Sequence, residues 1–124
     1  MTHHIVDLGL DPKGFEAEDY VVELDIEPRH LNIGGIVHGG VICSLLDTAM
    51  ARSWLMAEGK GMLSAVTLEM KVNFLGSVKE GRLVARGRVV QRTRRTVFIE
   101  ARVTDRTDRL IAAATATMMV YDEE

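Results

Sequence analysis

The residues around positions 38 to 47 could support hydrolysis of a carbonyl compound. The segment His38-Gly39-Gly40 opens an apolar helical stretch, and Asp47 lies in its middle with no obvious partner. A charge in a buried helix is costly unless it is paired or used. A helix N-terminus supplies free N–H groups and the positive end of the dipole, and glycine permits close approach. Gly39 is therefore a candidate N–H donor to a developing oxyanion, and Asp47 a candidate base or nucleophile.

The spacing of these two residues constrains where such chemistry could occur. Gly39 and Asp47 are eight residues apart, which corresponds to about 12 Å along a helix. Reacting atoms must approach to about 3 Å, so one carbonyl group cannot contact both residues of the same chain. Either one of the two is not catalytic, or the site joins two subunits across a symmetry axis.

The composition is that of an ordinary globular protein, and we expect one domain spanning residues 1–124. The formal net charge of -3 favours neither nucleic acid nor an anionic membrane as a partner. The single cysteine, Cys43, excludes an internal disulfide framework, fits a reducing compartment and is expected in the core. The N-terminus has no signal-peptide pattern, and no apolar run reaches membrane-spanning length. We therefore expect a cytoplasmic protein.

Apolar periodicity predicts one helix and five strands. A strand with one solvent-exposed face covers residues 20–26. It ends at Pro28, which has no backbone N–H to donate to a neighbouring strand. The helix runs from about Gly40 to Glu58, where the segment EGKG at 58–61 stops it. A long antiparallel meander follows, with strands at 66–74, 82–92, 96–105 and 110–121. One five-turn helix can cover one face of such a sheet.

Side-chain patterns within these strands predict which face each residue occupies. In the clearest strand, apolar residues at 66, 68, 70, 72 and 74 alternate with polar residues at 67, 69, 71 and 73. Outward positions in the next two strands are indicated by Arg86, Arg88, Glu100 and Arg102. The last strand is rich in alanine, which predicts a sheet wrapped closely around the helix.

The order of these motifs resembles the hotdog-fold thioesterases, and within them the phenylacetate-pathway (PaaI-like) acyl-CoA thioesterases. The resemblance rests on Asn32, the glycine pair after His38, Asp47 and the strand AVTLEMKVNFL, and it covers roughly residues 20–121. It implies an α+β hotdog fold, with a five- to six-stranded antiparallel sheet wrapped around one long helix. Gly76-Ser77 replaces the Arg-Pro common in the family, and Thr93 replaces a glycine. We expect both departures to lie away from the chemistry and to affect acyl-CoA contacts.

The resemblance also implies roles for individual residues. Gly39 of one subunit would polarise the thioester carbonyl with help from Asn32, while Asp47 of the other activates water that Thr67 orients. The remaining substrate-binding residues implied are His38, Gly40, Arg94, Arg95 and Thr96. The last three lie in the family region near the phosphates of coenzyme A, which suit guanidinium groups. The resemblance implies no metal or separate cofactor, and a homodimer that assembles into a homotetramer.

Each of these residues also has a simpler interpretation. Asp47 could be bonded to a backbone group or hydroxyl, Asn32 could be a turn residue, and Thr67 an ordinary strand threonine. His38 is better explained by loop hydrogen bonds than as a general base. The arginines could be solvated strand faces; because no aromatic residue interleaves with them, they do not indicate nucleic-acid binding. Trp54, Met50 and Met56 could line a pocket for an aromatic or medium-length acyl chain, or belong to the core.

Two rival functions remain. A non-catalytic acyl-CoA-binding module would need Gly39 and the arginines but not Asp47. The hydratase branch of the same fold would need an Asp-His pair that the loop does not offer.

Overall fold

The computed structural model of the protein describes residues 3–57 and 65–121. Two α-helices, α1 and α2, and six strands, β1 to β6, occur in the order α1, β1, β2, α2 and then β3 to β6, with a short 3-10 helix at Pro28–His30 before α2. Their bounds are α1 His3–Leu8, β1 Asp11–Glu16, β2 Asp19–Asp25, α2 Gly39–Leu55, β3 Ala65–Phe74, β4 Arg82–Arg92, β5 Thr96–Asp105 and β6 Leu110–Val120. In these ranges no helix is long and apolar enough to cross a membrane.

All six strands form one antiparallel sheet in the order β1-β2-β4-β5-β6-β3, and α2 packs on its concave face. The expected α+β hotdog architecture is therefore confirmed. The expected meander is wrong at one point, because β3 pairs with β6 and not with the strand that follows it in sequence. This pairing places β3 at the sheet edge, with one side of its backbone unpaired by the described residues.

The sequence reasoning missed two elements near the N-terminus. Strand β1 reads DPKGFE, whose proline and glycine suppress any alternating pattern, and its register with β2 shifts between Pro12 and Gly14. It is an edge strand held by backbone pairing. Helix α1 has only 6 residues, of which Ile5 and Leu8 are half-buried against the core, and this is too short a pattern to predict a helix.

Helix α2 begins one residue earlier than expected and ends at Leu55, not at Glu58. The predicted stop at EGKG lies outside the described residues. The helix turns a broad apolar face to the sheet, including Leu45, Leu46, Ala49 and Met50, none of which is exposed to solvent. Burying this face stabilises the fold by roughly 1.5–3 kcal/mol for each large side chain.

The helix lies closest to the sheet at Gly87 in β4. A Cβ atom at this position would lie 2.5 Å from the Ala49 carbonyl oxygen and 2.9 Å from the Met50 nitrogen. Next to Gly87 in the register are Ala101 and then Ala114. This row of small residues confirms the expected close wrapping of the sheet, because larger side chains would lift the helix away.

A bulge in β3 changes which face its residues occupy. The register with β6 shifts between Thr67 and Glu69, so Leu68 is the extra residue. Thr67 pairs with the buried Met118, and Met70 pairs with the buried Ala116, so both face the helix. The expectation of unbroken alternation, with Thr67 facing away from the apolar row, is therefore wrong.

We expect Gly87→Ala to destabilise the fold by about 3 kcal/mol, because the added methyl group overlaps helix backbone that cannot yield. Urea denaturation at fixed protein concentration measures this loss. Gly40→Ala is the matched control, since its Cβ would meet only His38 Nδ1, at 3.7 Å. Equal stabilities for the two variants would contradict the close contact described above.

Candidate active site

The first turn of α2 presents one backbone N–H without a partner. His38 caps the helix in an extended conformation, and its Nδ1 accepts from the Gly40 N–H at 3.5 Å. The N–H groups of Val41 and Ile42 donate to the His38 carbonyl at 3.0 and 3.3 Å. Among the described residues nothing accepts from the Gly39 N–H. His38 thus makes the expected loop hydrogen bond, and Gly39 offers the free donor.

Asn32 is held in a tight turn that sets the direction of its amide. Its Oδ1 accepts from the N–H groups of Gly34 at 2.9 Å and Ile36 at 3.3 Å. Its backbone N–H also donates to the Ile36 carbonyl at 2.8 Å. Because two donors hold the amide oxygen, the Nδ2 end is left as a hydrogen-bond donor. Asn32 is therefore a turn residue, and its side chain keeps a donor for another role.

Asn32 and Gly39 line the same cavity of about 200 Å³. Most of its walls are apolar, from Ile36, Val37, Ile42, Phe74 and Val78. The Phe74 ring lies so close that a Cβ atom on residue 39 would be 3.4 Å from it. We call Asn32, Gly39 and Phe74 the carbonyl half-site, because its donors suit a carbonyl oxygen that becomes negative.

Gly76 and Ser77 also line this cavity, so the expectation that this departure lies away from the chemistry is wrong. The Ser77 carbonyl accepts from Arg109 Nη2 at 2.7 Å, and Asp105 Oδ2 accepts from Arg109 Nε at 3.2 Å. Hydrogen bonds from the Thr107 side chain, then from the Arg109 backbone, lower the pKa of Asp105 to about 2. This turn supports one wall of the cavity.

Asp47 is half-buried and lies on the side of α2 away from the sheet centre, so the expectation of full burial is wrong. Its Oδ1 accepts a hydrogen bond from Thr67 Oγ1 at 3.0 Å, because Thr67 faces the helix. We call Asp47 and Thr67 the acid half-site. The hydroxyl contact agrees with both the structural and the catalytic interpretation of Asp47.

Cys43 precedes Asp47 by one helical turn and is half-buried, not part of the core as expected. Burial, and then the neighbouring charge of Asp47, raise the pKa of the Cys43 thiol. A raised pKa keeps the sulfur protonated, which disfavours it as a nucleophile.

The two half-sites lie far apart in one chain. Thr67 and Phe74 occupy opposite ends of β3, and seven residues of strand span roughly 20 Å. Gly39 and Asp47 are likewise about 12 Å apart along α2. One substrate carbonyl therefore cannot contact both half-sites of the same chain.

The arginine-rich turn between β4 and β5 lies at the acid end of the sheet. Thr67, Met118, Val97 and Arg92 form one row across β3, β6, β5 and β4. The turn itself is closed by a bond of 2.7 Å between the hydroxyls of Thr93 and Thr96. The Thr96 hydroxyl is thus already engaged within the turn.

Arg94 and Arg95 form no ion pair with any carboxylate in the described part of the chain. Of the proposed pocket residues, Met50 is core, Met56 is 37% exposed, and Trp54 is 2% exposed beneath Arg92.

Sequence reasoning missed the residues that hold the carbonyl half-site in place. His30 is fully buried, its Nδ1 accepts from the Glu27 N–H at 2.9 Å, and its Nε2 donates to the Leu8 carbonyl at 2.7 Å. Its own carbonyl accepts from the His38 N–H at 2.8 Å. His30 therefore ties α1 to the loop before α2. A lone histidine in a loop gives no sequence signal for this role.

Comparison with known proteins assigns the family. Residues 34–112 match the family model of the thioesterase superfamily. The chain belongs to this superfamily, and it is a hydrolase. A relative in Saccharolobus solfataricus that carries the name of an esterase, SSO1253, is 31% identical over 116 residues, which cover 94% of this chain and 76% of the relative.

Solved structures of other proteins share the hotdog fold. Conserved protein PA5202 of Pseudomonas aeruginosa superimposes with a TM-score of 0.88 at 30% identity, covering 97% of this chain and 94% of that one. A mutant of the phenylacetic acid degradation protein PaaI of Thermus thermophilus superimposes with a TM-score of 0.84 at 25% identity. That match covers 94% of this chain and 97% of PaaI.

We expect Asp105 to make the stability of the thioesterase pH-dependent in strong acid. Because its pKa is about 2 in the folded protein and near 3.8 without its partners, its contribution is present above pH 4. That contribution is lost as the pH falls toward 2. Asp105→Asn should therefore melt below wild type at pH 7, and the difference should shrink between pH 4 and pH 2.

Asp108→Asn, in the same turn, is the control for this prediction, since the Asp108 side chain accepts none of these bonds. It should melt like wild type at both pH values. A melting difference for Asp105→Asn that does not change with pH would contradict the role given to its charge.

Proposed function

We propose that the protein hydrolyses the thioester of an aromatic or medium-chain acyl-CoA at sites shared between two subunits. The observation that carries the proposal is the division of the chain into two incomplete half-sites. One offers hydrogen-bond donors without an acid, and the other offers an acid without donors. Membership of the thioesterase superfamily and the likeness to PaaI support the thioester as the bond broken.

The two half-sites suggest a division of labour in the reaction. The thioester carbonyl oxygen accepts from the Gly39 N–H and from Asn32 Nδ2, which stabilise its negative charge in the transition state. Asp47 of the other subunit removes a proton from water, and the resulting hydroxide attacks the carbonyl carbon. The carbon–sulfur bond then breaks, and the thiolate takes up the proton from Asp47. Thr67 holds one Asp47 oxygen, leaving the other for water.

The free edge of β3 supports a subunit contact. Its side chains Val66, Leu68 and Phe74 are 41%, 54% and 53% exposed, which is unusual for large apolar residues on one strand. Unpaired strand edges are templates for pairing with another chain. Antiparallel pairing of two copies about the strand midpoint, near Lys71, brings the Thr67 end of one to the Phe74 end of the other. A two-fold dimer would thus complete two sites, and two dimers would form the expected tetramer.

The arginine turn suits the coenzyme A part of the substrate. The guanidinium groups of Arg94 and Arg95 lack carboxylate partners among the described residues, and the turn lies at the end of the sheet that carries Asp47 and Thr67. Phosphate groups are preferred partners of guanidinium.

Asn32→Asp separates the turn role of Asn32 from its catalytic role. Aspartate keeps the oxygen that holds Gly34 and Ile36 but loses the Nδ2 donor. We expect kcat to fall about a hundredfold with the melting temperature nearly unchanged. Release of free thiol from a panel of acyl-CoAs measures kcat.

Asn32→Ala, which loses both functions, should lower both kcat and the melting temperature. If the Asn32→Asp enzyme had wild-type kcat, the only role of the Asn32 side chain would be to hold the turn.

Subunit complementation tests the shared site. Asp47→Asn should reduce turnover at least about a hundredfold while acyl-CoA still binds. Gly39→Pro removes the other donor, and proline is tolerated at the first position of a helix. In a mixed dimer one site carries both lesions and the other carries neither. When the two chains pair at random, about half of the dimers are mixed, and each mixed dimer has one working site of two. Co-expression of the two chains should therefore restore about a quarter of wild-type activity.

Gly39→Ala keeps the N–H and is the control for damage to the helix start. A mixture that stays inactive, although heterodimers form and fold, would exclude the shared site. If the Asp47→Asn variant kept full turnover, the Asp47 carboxylate would have a structural role and not a catalytic one. If wild type bound acyl-CoA without releasing thiol, the protein would be an acyl-CoA-binding module.

A further inference from the structure

The loop that presents the Gly39 N–H is held from two sides. On one side the His38 N–H donates to the His30 carbonyl at 2.8 Å, which ties the loop to α1. On the other side the Val37 N–H donates to the Val78 carbonyl at 2.9 Å. Val78 is buried and follows the end of β3 by four residues. The position of Gly39 therefore depends on the segment after β3 as well as on α1.

The segment after β3 is fixed by backbone bonds and by one side chain. The N–H groups of Leu75 and Gly76 donate to the Ile111 carbonyl at 2.8 and 3.1 Å. The next carbonyl, of Ser77, accepts from Arg109 Nη2 at 2.7 Å. Among the described residues, Arg109 is the only side chain that hydrogen-bonds to residues 75–78. The turn between β5 and β6 thus holds the peptide that precedes Val78.

Arg109 can reach this peptide only because residue 76 has no side chain. A Cβ atom on Gly76 would lie 2.8 Å from Arg109 Nη1, which is closer than such atoms approach in proteins. Asp105 holds the other side of the guanidinium, with its Oδ2 accepting from Arg109 Nε at 3.2 Å. A side chain at residue 76 would therefore displace Arg109 from Ser77. This accounts for the absence of the Arg-Pro pair at residues 76 and 77, since an arginine there would exclude Arg109.

We propose that Arg109 is a positioning residue for hydrolysis, which acts through Ser77 and Val78 on the loop that presents the Gly39 N–H. Oxyanion donors are effective because they are oriented before charge develops, and a displacement of about 1 Å can cost roughly a hundredfold in rate. The Arg109 side chain is 52% exposed, so its ion pair contributes little to the free energy of unfolding. The inference rests on the proposed function, because it takes Gly39 as an oxyanion donor.

Two variants break the contact between Arg109 and Ser77 by different routes. Arg109→Ala removes the guanidinium, and Gly76→Ala displaces it. We expect each to lower kcat for acyl-CoA about tenfold, to leave KM within about twofold and to change the melting temperature little. The double variant should be no slower than either single variant, because both changes remove the same contact. Arg106→Ala is the matched control: Arg106 is an exposed arginine of the same turn, and its side chain makes no hydrogen bond or ion pair with the described residues.

Hydrogen exchange of the Val37 amide reports on the loop without any substrate. Its N–H is bonded to the Val78 carbonyl, so release of the segment after β3 should expose it to solvent more often. We expect exchange at least about tenfold faster in Arg109→Ala and in Gly76→Ala, and the wild-type rate in Arg106→Ala.

The outcomes separate this inference from the proposed function. Unchanged kcat in both single variants, with wild type active on acyl-CoA, would overturn the inference and leave the hydrolysis standing. Additive losses of kcat in the double variant would also overturn it, and so would lower kcat without faster Val37 exchange. If wild type hydrolyses no acyl-CoA but Val37 exchange rises in both variants, the proposed function fails and the positioning of the loop by Arg109 holds.

Discussion

The close approach of α2 to β4 is the constraint on which the rest of the structure depends. At Gly87 the helix backbone lies where a side chain would otherwise be. Alanines with similarly small side chains occupy the neighbouring positions in β5 and β6. The sheet can therefore curve closely around the helix at this row, while large buried side chains such as Leu45 and Leu83 fill the space elsewhere. This distance places Asp47 within reach of Thr67 at one sheet edge and Trp54 beneath Arg92 near the other.

The carbonyl half-site depends on the loop before α2, which is held by hydrogen bonds of its own side chains. His30 anchors that loop to α1, and the Asn32 side chain closes its tip with two backbone hydrogen bonds. The Gly39 N–H and the Asn32 amide thus hold their directions before any substrate arrives. Donors that are already oriented need no reorganisation when charge develops, which is the main advantage of an oxyanion site over water. The acid half-site is simpler, since one threonine holds one carboxylate oxygen.

Features encoded by local pattern could be read from the sequence, and those set by distant pairing could not. Helix α2, its start at the glycine pair and the strands after it follow from apolar periodicity and glycine placement. The partner of β3 could not be inferred, because strand order is decided by contacts far apart in sequence. Strand β1 was missed since its edge pairing requires no apolar alternation. Asn32, Gly39 and Asp47 were recognisable from their order, but the entry of Ser77 into the same cavity depends on how the β3–β4 connection folds back.

The extra residue at Leu68 lies outside the β3–β6 ladder, so it does not decide which face Thr67 occupies. Residues before it and after it differ in phase when counted along the sequence, but Thr67 opposite Met118 and Glu69 opposite Thr117 are neighbours in the ladder and alternate normally. A chain lacking residue 68 would therefore keep the Thr67 hydroxyl on the helix side, facing Asp47. The environment of the acid is fixed by the pairing of β3 with β6 and not by the number of residues in β3. A deletion at position 68 would thus be tolerated more readily than a replacement of Thr67.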